Sequence, residues 1–170
     1  APSSKISRRK IRVLAALGLA QSLSGNPIRE VVDFGGGWGA DYFELAPRTP
    51  HLKSWVVVES GEVCRSLSQI PGLPDGLSFS ETIPTTEFTQ IIFASGAIQC
   101  LEEGLNLLDS FAETSHFVVL DRVPITHKKK NSWISIQRTS RLLGGVGSSY
   151  PVWFFAARDF EAALDGKWKV

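Results

Sequence analysis

Residues 30–40, Glu-Val-Val-Asp-Phe-Gly-Gly-Gly-Trp-Gly-Ala, limit the possible fold more than any other stretch of the chain. A β-branched run, Glu30 to Phe34, enters a loop holding Gly35, Gly37 and Gly39, and a helical pattern follows. Glycines let the backbone turn tightly and lie against a ligand with no Cβ in the way. The following helix start offers free N–H groups. Four more strand-like runs follow: Ser54 to Glu59, Leu77 to Ser80, Gln90 to Ala94, and Phe117 to Leu120. Helical stretches at Gly39 to Leu45, Gly61 to Gln69 and Leu101 to Phe111 alternate with them. Strands this apolar are buried on both faces, which predicts a parallel sheet. Right-handed crossovers then give a doubly wound, mostly parallel, Rossmann-like α/β sheet with helices on both faces. Ligands of such sheets sit beyond the carboxyl ends of the strands, here after Phe34, Val58, Phe79, Ala94 and Leu120.

The flanks break this rhythm. An N-terminal helical segment, 1–27, carries apolar residues at Ile11, Leu14, Ala15, Leu19 and Leu23, and Ser24-Gly25-Asn26-Pro27 stops it. Residues 122–150 read as an insertion over the ligand face, with Lys128 to Lys130, a β-like Ser132 to Gln137, and the glycines Gly144, Gly145 and Gly147. Arg158 to Asp165 reads as a helix closed by Gly166, and Lys167 to Val170 as the start of a sixth strand. No seventh strand is readable, so the C-terminal strands read as incomplete. The expected organisation is a single domain over 1–170.

Composition excludes several classes. Hydrophobic residues are 43% and charged residues 21% of 170, a globular balance. Lys and Arg total 18 against 17 Asp and Glu, which argues against a chain-wide basic surface, and no nucleic-acid partner is expected. No apolar run reaches the length of a membrane span, so no membrane insertion is expected. Cys64 and Cys100 form no CxxC and have no His cluster beside them, so no metal site is expected. A reducing cytoplasm is the default location.

Glu59 closes the second strand, twenty residues after Gly39. A carboxylate there can accept both hydroxyls of a ribose. Two cofactors fit this pattern. Gly35-x-Gly37-x-x-Ala40 reads as a dinucleotide fingerprint, and Asp33-x-Gly35-x-Gly37-x-Gly39 as the loop of a methyl-donor enzyme. Asp33 separates them, because it would repel a pyrophosphate and favour the cationic S-adenosylmethionine (SAM).

With these residues the chain resembles the class I SAM-dependent methyltransferases over about residues 28–121. VVDFGGGWGADYF, WVVVES, IIFASGAIQCLEE, VLDRVPI and SSYPVWFF are similar to a bacterial group of methyltransferases often found near surface-polysaccharide genes. The resemblance implies that Gly35, Gly37 and Gly39 form the SAM loop. It implies Asp33 near the methionine end, Glu59 on the ribose, and Ser95 and Gly96 bordering the cofactor. Glu81 falls where an adenine contact is often placed.

The acceptor side is less defined. Methyl transfer needs alignment and exclusion of water, and a base only where the acceptor keeps its proton. Asp121 is a candidate to orient or deprotonate a hydroxyl, and reads equally as a loop ion pair with Arg122. Tyr150 is a candidate catalytic group, and Arg122, Gln137 and Ser149 are candidate substrate contacts. His127 lies beside three lysines and reads as a solvated loop. Ala94-Ser95-Gly96-Ala97 lacks the Asn/Asp-Pro-Pro-Tyr/Phe of enzymes that methylate base amines, which disfavours DNA. The expected activity is O-methylation of a small-molecule or glycan acceptor. The rival expectations are an NAD(P)-binding oxidoreductase domain and a binding or scaffold protein without turnover.

Overall fold

The computed structural model describes residues 7–84, 89–138 and 147–169. Its contacts group into two compact units, Ala1–Ser95 with Thr114–Asp121, and Gly96–Glu113 with Arg122–Val170.

The first unit holds a five-stranded sheet. Its strands are β1 (Glu30–Phe34), β2 (Ser54–Val58), β3 (Leu77–Ser80), β4 (Thr89–Ser95) and β5 (Ser115–Asp121), in the order β3-β2-β1-β4-β5. All four pairings are parallel, as the apolar runs predict. β1 is central. Phe34 pairs with Val58 on one side and with Ala94 on the other, and Ser95 pairs with Asp121. This register brings the carboxyl ends of β1, β2, β4 and β5 to one sheet edge, and the glycine loop leaves from its centre.

Helices α1 (Arg8–Ser24), α2 (Ala40–Leu45) and α3 (Gly61–Leu67) complete this unit. The Ser7 side chain caps α1 by accepting from Lys10 N at 3.3 Å, and Gly25 ends it with φ 68°. The buried stripe of α1 is Lys10, Val13, Leu17 and Ala20. The expected apolar face is therefore rotated: Ile11, Leu19 and Leu23 are exposed. Lys10 can enter the interior because the Asp41 carboxylate, in the first turn of α2, pairs with its ammonium. Val13, Leu17 and Ala20 pack with Val31, Trp55, Val57, Ile91 and Phe93 into one core. Val32, Val58, Ile92 and Ala94 alternate with these and are also buried, so the sheet is covered on both faces.

The second unit contains α4 (Leu107–Thr114), β6 (Ile125–Thr126), β7 (Trp133–Arg138), β8 (Ser149–Ala156) and α5 (Ala157–Leu164). β8 is the centre of a three-stranded sheet, parallel to β6 and antiparallel to β7. Trp153, Phe154 and Phe155 lie in β8, and Phe155 is buried. The β-like Ser132 to Gln137 is β7, moved by one residue. The expected strand at 167–170 does not form over its described residues. Lys167 and Trp168 instead return their N–H groups to Leu164 O, and Trp168 Nε1 donates to Leu108 O at 3.2 Å. Gly144, Gly145 and residue 146 lie outside the described residues. No helix among the described residues is long and apolar enough to cross a membrane.

Candidate cofactor and acceptor sites

The glycine loop is built from the end of β1. Gly35 N extends the ladder to Val58 O at 2.9 Å, and Glu59 N extends the next one to Ser80 O at 3.0 Å. Gly35, Gly37 and Gly39 have φ of 68°, 58° and 71°, values that L side chains rarely adopt. Gly39 N closes the turn on Gly36 O at 3.1 Å, and α2 starts there. A Cβ at Gly37 would meet nothing within 4 Å, so this backbone is open to an incoming molecule.

Glu59 faces the loop. Its Oε1 accepts from Gly37 N at 3.1 Å and its Oε2 from Ser60 N at 3.0 Å. Both bonds fix the carboxylate, and a carboxylate retains lone pairs for a diol beyond these two. Glu81 sits beside the start of α3, where a Cβ on Gly61 would come within 2.7 Å of its Oε2.

Asp33 is 1% exposed. It lies on the sheet face shared with Trp55, Val57 and Phe93, and the Trp55 indole N–H donates to its Oδ2 at 3.1 Å. Burial pushes its carboxyl up to about 6, against the Trp55 hydrogen bond and the attraction of Lys10 and Arg9, which lower it. Asp33 also explains Gly36, which sequence reasoning passed over. A Cβ there would fall 2.4 Å from the Asp33 carboxylate.

Sequence reasoning also missed Arg9. Its Nη1 donates to Ser95 Oγ and to Asp121 Oδ2, both at 2.9 Å, and its Nη2 donates to Asp41 Oδ1 at 2.8 Å. Ser95 Oγ in turn donates to Asp121 Oδ2 at 2.8 Å. One arginine of α1 therefore joins α2 and the carboxyl ends of β4 and β5. The only advance signal was a basic start to a helix, which does not say which cation turns inward. Arg9→Ala leaves two half-buried carboxylates short of donors. We expect a loss of about 1–3 kcal/mol of stability in urea unfolding, in the range for hydrogen bonds to charged groups with solvent screening of a partly exposed pair.

The second unit carries a cavity of about 480 Å³. Arg122, Gln137 and Tyr150 line it together with Gly96, Gln99 and Val152. Gln137 and Tyr150 are cross-strand partners, and the Tyr150 hydroxyl donates to Gln137 Oε1 at 3.3 Å. Ser149 is exposed, pairs with Arg138, and is not part of the lining. Cys100 lies in the wall with its thiol against Gly96 O at 3.7 Å, and desolvation pushes that thiol up, against thiolate chemistry. His116 lies near the start of β5, at the opposite end of the strand from Asp121. No group of three or more His, Cys, Asp or Glu among the described residues could hold a metal ion.

No family model and no curated protein sequence matches the chain. Solved structures do. CalS10, an amino pentose methyltransferase from Micromonospora echinaspora solved with SAM, is similar at 13% identity and TM-score 0.61, over 91% of this chain and 79% of that one. The N-terminal domain of EvdMO1 with S-adenosylhomocysteine (SAH) is similar at 18% identity and TM-score 0.61, over 95% and 72%. The sugar N-methyltransferase KedS8 from Streptoalloteichus sp. ATCC 53650 is similar at 13% identity and TM-score 0.61, over 95% and 78%. The chain has the fold of the class I SAM-dependent methyltransferases.

Proposed function

We propose that the chain, read as one domain, is a SAM-dependent methyltransferase that methylates a hydroxyl of a small-molecule or glycan acceptor. The observation that carries this is the open glycine loop at the carboxyl edge of β1 with the Glu59 carboxylate held against it. The fold supports the same reading, and two of the similar proteins act on sugars.

The residues fit the cofactor. Glu59 has lone pairs left for the ribose hydroxyls, and the backbone of Gly35 to Gly39 leaves room beside Gly37. Asp33 acts from beneath the loop, through its negative charge and by shaping Gly36. Ser95 and Gly96 border the cofactor at the end of β4. Bound SAM supplies a methyl group made electrophilic by its sulfonium. The chain's own part is to hold and orient reactants and to exclude water. Arg9 and Ser95 both donate to Asp121 Oδ2, and the role read for this carboxylate is to orient an acceptor hydroxyl. Tyr150, Arg122 and Gln137 contact the acceptor, with Ser149 at the rim of the same strand pair.

Calorimetric titration with SAM, SAH and NAD tests the cofactor reading. SAM and SAH should bind and NAD should not; the reverse order would sink it. Glu59→Ala should weaken SAM binding by about 1–3 kcal/mol, the range for hydrogen bonds to a charged group. The variant also frees Gly37 N, so its unfolding midpoint is measured alongside. An unchanged dissociation constant in a folded variant would remove Glu59 from the site.

A further inference from the structure

We propose that the β7–β8 strand pair of the second unit is a docking face for an anionic lipid surface. This goes beyond the cofactor and acceptor readings and depends on neither.

Charge is divided unevenly along the chain. Residues 122–158 hold seven Lys or Arg and no Asp or Glu. In a chain of nearly balanced charge, an acid-free stretch of this length sets up a local positive field. Lys128, Lys129 and Lys130 lie between β6 and β7, and Arg138 ends β7. All four are exposed. Lys129 Nζ lies 5.0 Å from the centroid of the Trp133 ring, which holds one of these cations at the head of the strand. Arg158, by contrast, is paired with Asp159 at 2.8 Å.

Between these cations the strand is apolar and open. Among the described residues β7 is an edge of its sheet. Ile134, Ile136 and Arg138 alternate along it and share one face with their cross-strand partners Trp153, Pro151 and Ser149. Ile134 is 50% and Ile136 60% exposed. Pro151 beside them is exposed and Trp153 half-buried. Val152 and Phe154, on the opposite face, line the cavity instead. Two aliphatic side chains open to water in the middle of an edge strand gain nothing from packing, and such a patch marks a surface that meets a partner. The cations decide which partner. A second copy paired edge to edge would bring its own lysines and Arg138 against these, with no carboxylate on the strand pair to offset them. A nucleic acid would meet the cations and leave the isoleucines in water, since its apolar contacts are made by stacking on aromatic rings. An anionic bilayer surface satisfies both features. Its headgroups attract the lysines and Arg138, and Ile134 and Ile136 enter the boundary with the acyl chains. Trp153 suits the same boundary. The strand pair lies on such a surface and does not span it.

The test uses the full chain and three probes: vesicles of phosphatidylcholine mixed with phosphatidylglycerol, vesicles of phosphatidylcholine alone, and a DNA duplex of mixed sequence. Binding is read by co-sedimentation for the vesicles and by fluorescence anisotropy for the duplex. The mixed vesicles should bind at least about tenfold more tightly than either other probe, since each cation near an anionic surface contributes about fivefold. Added salt should weaken this binding without abolishing it, because the apolar contact is not screened. Lys128→Glu combined with Lys130→Glu should lower vesicle affinity at least about tenfold. Ile134→Ser combined with Ile136→Ser should lower it by about tenfold as well. Both variants change exposed side chains, so their unfolding midpoints should stay near the parent's. Arg12→Ser removes an exposed cation of α1 and should bind vesicles as the parent does. No sedimentation with the mixed vesicles, equal binding to phosphatidylcholine alone, or DNA bound as tightly as the mixed vesicles would overturn the proposal. So would parent-like binding by either strand-pair variant, or a loss in Arg12→Ser as large as theirs. A dimer in sedimentation velocity that the isoleucine variant abolishes would assign the face to a second copy and overturn it too. The comparison of probes on the parent chain does not depend on any variant folding.

Discussion

Asp33→Asn is expected to make the protein more stable at pH 8 and worse at binding SAM. The stability half follows from linkage. The Asp33 carboxyl is raised from 3.8 to about 6 by burial, so the folded state holds its proton more tightly than the unfolded chain does. Stability therefore falls as pH rises from about 4 to about 6, and the full cost persists above that range. A shift of this size corresponds to roughly 1–3 kcal/mol, with the pairing to Lys10, Arg9 and Trp55 already included. Asparagine removes the titration and keeps an oxygen for the Trp55 N–H. Its advantage should be full at pH 7–8, shrink between about pH 6 and about pH 4, and vanish only below that range. In thermal melts the gain at pH 8 should be a few degrees for a chain of this length. The binding half follows from charge. A neutral side chain no longer attracts the sulfonium and ammonium of SAM, and affinity should drop roughly tenfold at pH 8. A stability difference that does not change with pH would show that Asp33 is not buried as a strained anion.

This cost explains why a carboxylate stands in an apolar face at all. β1 offers buried positions at Val31, Val32 and Asp33, and an apolar residue at 33 would pack against Val57 and Phe93 at no electrostatic cost. Groups that weaken a fold at a fixed place are commonly retained for what they do there. Sequence alone pointed to Asp33 by its place in the glycine pattern. It could not show the Trp55 indole that holds it, because the two are 22 residues apart and meet only when β1 and β2 pair.

The same division runs through the rest of the molecule. β1 and β3 have the expected bounds: glycines follow Phe34 at the end of β1, and apolar and polar residues alternate over Leu77 to Ser80 in β3. β8 escaped because Tyr150-Pro151 interrupts the pattern of a strand, yet Pro151 fits opposite Ile136. α4 begins at Leu107 rather than Leu101. Gly104 lies against Ile98 O with no space for a side chain, and Leu101 to Asn106 turns instead of continuing a helix. The buried face of α1 was displaced by ion pairing, which hydrophobic periodicity does not register. Glu59 was legible because strand, loop and acid are in fixed sequence order. Arg9 and Gly36 were not, since each depends on a tertiary contact that no local pattern encodes.

Gly36→Ala is expected to be the most damaging small substitution in the loop, worse for stability than Gly37→Ala. Gly37 is strained for an L residue by its φ of 58°, but a Cβ there meets open space. The expected cost is about 1–2 kcal/mol for the left-handed backbone alone. At Gly36 the new methyl would lie 2.4 Å from Asp33 Cγ and Oδ2, far inside van der Waals contact. Asp33 cannot swing aside, because the core surrounds it and the Trp55 N–H holds its Oδ2. The loop must move, and with it Gly37 N and its bond to Glu59. Overpacking of this kind costs about 1–3 kcal/mol and more where backbone shifts, and SAM affinity should fall with it. A double-mutant cycle isolates the cause. In an Asp33→Ala background the carboxylate is gone, so Gly36→Ala should lose most of its effect on stability, giving a coupling of about 1–3 kcal/mol in urea unfolding. Additive effects of the two substitutions would mean that Gly36 is a glycine for some reason other than the acid beneath it, and Asp33 would lose its role in shaping the cofactor loop.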